Sequence, residues 1–147
     1  MIVAGVDGSE ASKEALHWAL EEARLRQTQL RVVCAWARPQ VGGRIYIPPD
    51  LSDPERLRQA AQEQLDGFVD EVAGESPGVE LERVAVEGSA GKVLVEAAED
   101  AELLVSGSRG RGGFAGLLLG SVSGQCAQHA PCPVVIVRGG AQAPERQ

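Results

Sequence analysis

Gly107, Gly110, Gly120 and Ser121 stand in the spacing Gly-x2-Gly-x9-Gly-Ser within residues 103–138, LLVSGSRGRGGFAGLLLGSVSGQCAQHAPCPVVIVR. Residues of these types hold anions. A glycine-rich turn that leaves a strand and enters a helix exposes backbone N–H groups, and the helix dipole adds positive potential beside them. Gly107 is expected to let the chain turn sharply after its strand. Gly110 and Gly120 are expected to remove side chains where a ligand touches the backbone. Ser121 offers a hydroxyl at a helix start, and the N–H groups of Ser121, Val122 and Ser123 would converge on one anion. The charge pattern agrees. The chain carries 21 Asp+Glu against 14 Lys+Arg, a net charge of −7, yet no acid falls between Glu102 and Glu145, where Arg109, Arg111 and Arg138 lie. An acidic protein that clears its carboxylates from one such turn is expected to bind something negative there, with phosphate the first candidate. Arg109 and Arg111 either steer or touch that phosphate or sit on a solvated loop.

Rival patterns in the same sequence are weaker. Residues 110–115, GRGGFA, fit G-x-G-x-x-A, but that dinucleotide pattern belongs after a first strand, with an acid about twenty residues on. Here it follows the fourth apparent strand, and no acid comes before Glu145. Residues 87–92, EGSAGK, lack the four-residue gap of a phosphate loop, so Lys92 reads as a solvated helix residue. Cys126, His129 and Cys132 stand three apart, but Pro131 interrupts them and structural zinc takes four ligands. Buried thiols and a surface histidine are the better reading. His17, close to Glu14, Glu21 and Glu22, reads as solvated. No Ser-His-Asp or Cys-His arrangement can be assembled, and the segment nearest the phosphates offers no carboxylate to hold a metal or take a proton. The HIGH-type and SGG-x-D-S-type signatures of nucleotide-activating α/β enzymes are missing too. The site reads as one that holds its ligand rather than cleaves it, so no catalytic residue and no protein ligand to a metal is expected.

The elements that must position these residues alternate. The chain of 147 residues fits one domain. Residues 2–6 form an apolar run closed by Asp7-Gly8, and Ser9 can cap a helix whose apolar face recurs through Ala15, Leu16, Ala19, Leu20 and Ala23. Residues 30–36 are the next strand, and 37–53, rich in Pro and Gly, form the longest irregular connection. Asp53-Pro54-Glu55 starts a second helix, with Gly74 near its end. Residues 80–86 alternate as a half-exposed strand does. Ser89 opens a third helix, 103–106 is an apolar strand, 121–130 a helix stopped by Pro131, and Val134–Val137 a last buried strand. Strands separated by helices throughout predict an α/β fold with a parallel sheet covered on both faces. Ligands of such sheets sit at the carboxyl ends of the strands where strand order reverses, which would bring Asp7 and residues 107–110 together. Hydrophobic residues make up 44% of the chain but aromatics only 3%. With the acidic balance, that excludes a base-stacking nucleic-acid surface. No apolar run approaches the ~20 residues of a membrane span, and no basic-then-apolar leader points to secretion. The three cysteines fit reduced, buried thiols in a cytoplasm.

The spacing, taken with IVAGVDGS at 2–9, VCAW at 33–36, and GSRGRGG, LLGSVS and APCPVVIVR nearer the end, resembles the nucleotide-binding signature of the universal stress protein family across nearly the whole chain. The resemblance implies a Rossmann-like, adenine nucleotide alpha hydrolase-like sheet of five parallel strands in the order 3-2-1-4-5. It places the domain at residues 1–138, ahead of a mobile tail at 139–147. It implies a cytoplasmic homodimer paired through Val134–Val137, with neither nucleic acid nor membrane as partner. It also implies binding of ATP or another adenine nucleotide, with Mg²⁺ or Mn²⁺ carried by the phosphates. On this resemblance Asp7 would contact the adenosine, Gly5 and Ala35 would line the base and ribose pocket, and Ser106, Gly107, Arg109 and Gly110 would form the floor. Gly120, Ser121, Val122 and Ser123 would hold the phosphates. Cys34 stands where relatives often carry His. Relatives are linked to survival under stress and growth arrest, so the expected role is a nucleotide-sensing regulatory module. The alternatives are a slow ATPase or adenylating enzyme, and a nucleotide-free dimeric scaffold.

Overall fold

The computed structural model describes residues 1–38, 52–75, 77–109 and 119–139. Among the described residues, five strands, β1 (Ile2–Gly5), β2 (Leu30–Trp36), β3 (Leu81–Glu87), β4 (Leu103–Gly107) and β5 (Val134–Val137), alternate with four helices, α1 (Glu10–Arg26), α2 (Pro54–Ala73), α3 (Ala90–Ala97) and α4 (Ser121–His129). All strand pairs are parallel, and the sheet order is β3-β2-β1-β4-β5. The chain therefore leaves β1 toward one side and returns to its other side at β4. That reversal opens a crevice between the carboxyl ends of β1 and β4.

Side-chain alternation along each strand decides which helix covers which face. Ile2, Ala4, Leu30, Val32, Leu103 and Val105 point to one face, where α1 contributes Ala15, Leu16, Ala19, Leu20 and Ala23, and α2 contributes Leu65 and Val69. Val3, Val33 and Leu104 point to the other, beneath Val93, Leu94 and Ala98 of the α3 segment and Cys126 of α4. Leu16 is fully buried and Leu20 nearly so, each stabilising the fold by about 1.5–3 kcal/mol. The alanines of α1 let that helix lie close to the sheet, which explains how a core with so few aromatics packs.

Local signals behave as the sequence suggests at three helix ends. Ser9 accepts from the Ser12 N–H at 3.2 Å to cap α1, and Asp53 accepts from the Glu55 N–H at 3.0 Å to cap α2, with proline in its first turn. Gly74 caps the end of α2 at φ 70°, a conformation suited to glycine.

One expectation gains a further reason and one needs correction. The turn expected at Gly107 does not use a left-handed residue, since its φ is not among the positive values. A Cβ there would lie 2.9 Å from the Ala11 carbonyl carbon and 3.0 Å from its oxygen. Glycine is needed because the first turn of α1 rests directly on the end of β4. Val134–Val137 is half-buried rather than buried. Its apolar run marks a strand, but at the sheet edge it pairs with β4 alone among the described strands. The expected irregular connection falls largely on 39–51, and the expected tail largely on 140–147; both stretches lie outside the described residues.

Candidate functional site

A cleft of about 210 Å³ lies at the carboxyl ends of β1 and β4, room for far more than a few ordered waters. Gly5, Asp7, Ala35, Ser106, Gly107, Arg109, Gly120, Ser121, Val122 and Ser123 all line it. Gly110 lies outside the described residues. Five further lining residues, Val6, Ser12, Val33, Ala90 and Leu94, were not singled out from sequence. Periodicity marks Val33 and Leu94 as apolar-face residues, but it does not say which apolar residue stands at the top of the sheet. Ser12 and Ala90 sit in the first turns of α1 and α3, and the capping signals at Ser9 and Ser89 could have located them.

One end of the cleft is built for negative charge. The first hydrogen bond within α4 runs from the Gly124 N–H to the Gly120 carbonyl, at 2.9 Å. The N–H groups of Ser121, Val122 and Ser123 precede it and have no acceptor within the helix. The N-cap is Gly120, which brings no side chain to accept them, and the first turn holds no acid. This contrasts with α1 and α2, whose N-caps accept through their own side chains. Gly120 has φ −67° and ψ 167°, an extended backbone open to any residue. It therefore matters here for its absent side chain, not for conformational freedom.

Ser108 and Gly120, on either side of residues 110–118, are tied together beneath this helix start. The Gly120 N–H donates to the Ser108 carbonyl at 2.7 Å, and the Ser108 N–H donates to the Val137 carbonyl at 2.8 Å. Ser123, buried to 1% exposure, places its Oγ 3.1 Å from both the Ser108 and the Gly120 carbonyls. A hydroxyl donor turned to those carbonyls holds Ser108 and Gly120 in place, so Ser123 offers the cleft its N–H rather than its side chain. Ser123→Ala is expected to cost about 0.5–1.5 kcal/mol of stability, seen as a fall in Tm of a few degrees. Ser121→Ala, altering an exposed side chain, should leave Tm unchanged. Thermal denaturation of the two variants side by side checks this.

The rest of the cleft differs in character. Val33, Ala35 and Leu94 form an apolar wall. A Cβ on Gly5 would collide with the Leu94 side chain, so glycine at the end of β1 is what seats Leu94 there. Asp7 is exposed, and its Oδ1 accepts from the Ser9 N–H at 2.9 Å, across Gly8 at φ 82°. That turn fixes the carboxylate at the mouth of the cleft. Arg109 lies on the same rim and is exposed.

No ready nucleophile stands on α4 or just beyond it. Burial pushes the Cys126 thiol up, reinforced by the nearby Cys132, and burial pushes Cys132 up as well, which keeps both protonated at neutral pH. Among the described residues, no group of three or more His, Cys, Asp or Glu is placed to hold a metal ion. His129 and His17 are exposed. No described helix is long and apolar enough to cross a membrane.

A model of the universal stress protein family matches residues 1–138. A universal stress protein of Mycobacterium tuberculosis is 38% identical over 140 residues, covering 93% of this chain and 44% of that one. One from Mycolicibacterium smegmatis is 38% identical over 138 residues, covering 93% and 45%. The chain thus spans under half the length of these relatives. Among solved structures, a universal stress protein in complex with cAMP superposes with a TM-score of 0.66 at 28% identity, over 93% of this chain and 94% of that one. The Archaeoglobus fulgidus protein in complex with dAMP gives 0.64 at 26% identity, over 92% and 95%.

Proposed function

This chain belongs to the universal stress protein family, and from that premise we propose that it binds an adenine nucleotide, ATP foremost, in the cleft between β1 and β4. The observation that carries the reading is the start of α4: three backbone N–H groups without helical acceptors, a glycine cap and no acid, opening on a cleft with an apolar wall opposite. The N–H groups of Ser121, Val122 and Ser123 would hold phosphate oxygens. Val33, Ala35 and Leu94 would pack on the base, and Asp7 would accept from a ribose hydroxyl or the base. The described residues fit such a ligand, because none of their side chains fills the cleft beside Asp7. A divalent cation, Mg²⁺ or Mn²⁺, would be carried by the phosphates and would neutralise part of their charge.

The protein acts in this reading as a module that holds a nucleotide and reports its presence in a stress response, not as an efficient catalyst. The described residues of the cleft include Asp7 as their one carboxylate, and it stands at the mouth, on the loop after β1. Phosphoryl transfer ordinarily needs groups that hold metal and orient the attacking nucleophile. The half-buried apolar β5 at the sheet edge supports pairing of two copies through Val134–Val137. Cys34, Cys126 and Cys132, none of which forms a disulfide among the described residues, support a reducing, cytoplasmic setting.

Protein purified without added nucleotide, denatured and cleared by filtration, should release an adenine nucleotide identifiable by mass spectrometry. Calorimetry on the stripped protein should then show it rebinding. Stripped protein that gives no heat with ATP, ADP, AMP or cyclic AMP leaves the scaffold reading standing instead. Turnover of ATP with Mg²⁺ well above about one per minute would favour the enzyme reading; typical enzymes run far faster.

A further inference from the structure

The two edges of the sheet are treated differently, and the difference lies in one side chain. Parallel pairing fixes which backbone groups of β3 point inward. The Leu30 N–H donates to the Glu80 carbonyl at 2.9 Å, and the Gly88 N–H donates to the Trp36 carbonyl at 2.8 Å. Backbone groups of even-numbered residues therefore face β2, and those of Leu81, Arg83 and Ala85 face outward, where an added strand would bind. Gln62, projecting from α2, occupies that position. Its Oε1 accepts from the Ala85 N–H at 3.2 Å, and its Nε2 donates to the Arg83 carbonyl at 3.2 Å. One side-chain amide thus makes the pair of hydrogen bonds that a neighbouring strand would make. Gln62 is itself held by Asp66, whose Oδ1 accepts from Nε2 at 3.2 Å. Beside it the Arg83 guanidinium is pulled onto α2, 2.7 Å from Asp70 and 3.2 Å from the Asp66 carbonyl. At the opposite edge, β5 offers Val134, Val135, Ile136 and Val137, all half-buried and all apolar.

We propose that Gln62 closes the β3 edge to strand addition, so that a second copy of this chain can extend the sheet only at β5. This rests on the reading that two copies pair through β5. An apolar strand on an open edge recruits another strand, and a protein with two such edges grows without limit. With β3 closed, pairing about a two-fold axis at β5 ends the assembly at two copies. Gln62 would thus set how far association runs, while β5 sets that it occurs.

The test compares wild-type protein with Gln62→Ala and Gln62→Met. The second variant keeps the length of the side chain and removes the amide. Both substituents favour helix, so α2 should persist. Light scattering over a concentration series should show a fixed mass for the wild type, and a mass rising with concentration for both variants. Hydrogen exchange of the Ala85 amide should be at least ten-fold faster in both. Wild-type masses for both variants overturn the proposal. A rising mass in Gln62→Ala alone also overturns it, because bulk rather than hydrogen bonding would then be guarding the edge. Wild-type protein that stays monomeric sinks the β5 reading separately. The comparison of variants with wild type still reads Gln62, whose substitution should then convert a monomer into a pair joined at β3.

Discussion

Gly120→Val is expected to abolish measurable adenine-nucleotide binding, a loss of at least about 100-fold or about 2.8 kcal/mol, while the domain stays folded. The extended backbone at φ −67° and ψ 167° is one that valine adopts readily, so the turn is not strained. As a helix N-cap valine is poorer than glycine, which should lower Tm by only a few degrees. The branched side chain would stand at the cleft wall beside the N–H groups of Ser121 and Val122, where phosphate oxygens must approach. Calorimetry gives the affinity and far-UV dichroism the fold. Arg138→Glu reverses a charge on an exposed residue outside the cleft lining and should weaken binding far less. Equal losses in the two variants would mean that long-range charge, not the shape of the helix start, governs affinity.

Gly107→Ala should act first on stability. Its added methyl would stand 2.9 Å from the Ala11 carbonyl carbon and 3.1 Å from the Ala11 Cβ. The obstacle is largely backbone, so rotating a side chain does not relieve it, and overpacking of this kind costs about 1–3 kcal/mol. Relief requires α1 to lift from β4. That movement would carry Ser12 and the Asp7 loop with it, and both line the cleft. A lower denaturant midpoint together with weaker nucleotide binding is the expected result. An unchanged midpoint would show that α1 moves freely against β4, and the account of Gly107 would be wrong. Gly5→Ala differs, because its added methyl meets only the movable Leu94 side chain. It should disturb the cleft wall more than the fold.

These two glycines show what the sequence could and could not reveal. Alternating periodicities and cap residues such as Ser9 and Asp53 were legible, because they express short-range backbone preferences. From them the parallel sheet and its helices on both faces follow. The strand order 3-2-1-4-5 came from the family resemblance. The cleft was half legible. The acid-free window and the glycine spacing pointed to the start of α4, and Gly120 was expected to keep a side chain away from a ligand, in keeping with its uncapped helix amides. The reason given for Gly107 was a sharp turn, whereas in the structure it also packs closely on Ala11. That contact cannot be read without knowing what lies opposite. Ser123 was expected to offer its N–H to the phosphates; that its hydroxyl faces the carbonyls of Ser108 and Gly120 was not legible. Leu94 and Val33 reach the cleft by tertiary register, which no local pattern encodes. Likewise the four apolar residues of β5 read as buried, because sequence does not tell an edge strand from a central one.

The central claim is that the backbone at the start of α4 is the phosphate-binding element. A titration of isotopically labelled, nucleotide-stripped protein with ATP, followed by amide resonances, tests it directly. The account predicts the largest shifts at Ser121, Val122 and Ser123, with smaller ones at Asp7, Ala35 and Leu94, all saturating together. Saturable binding that leaves the amides of 121–123 unmoved, or shifts gathered elsewhere on the molecule, would contradict it.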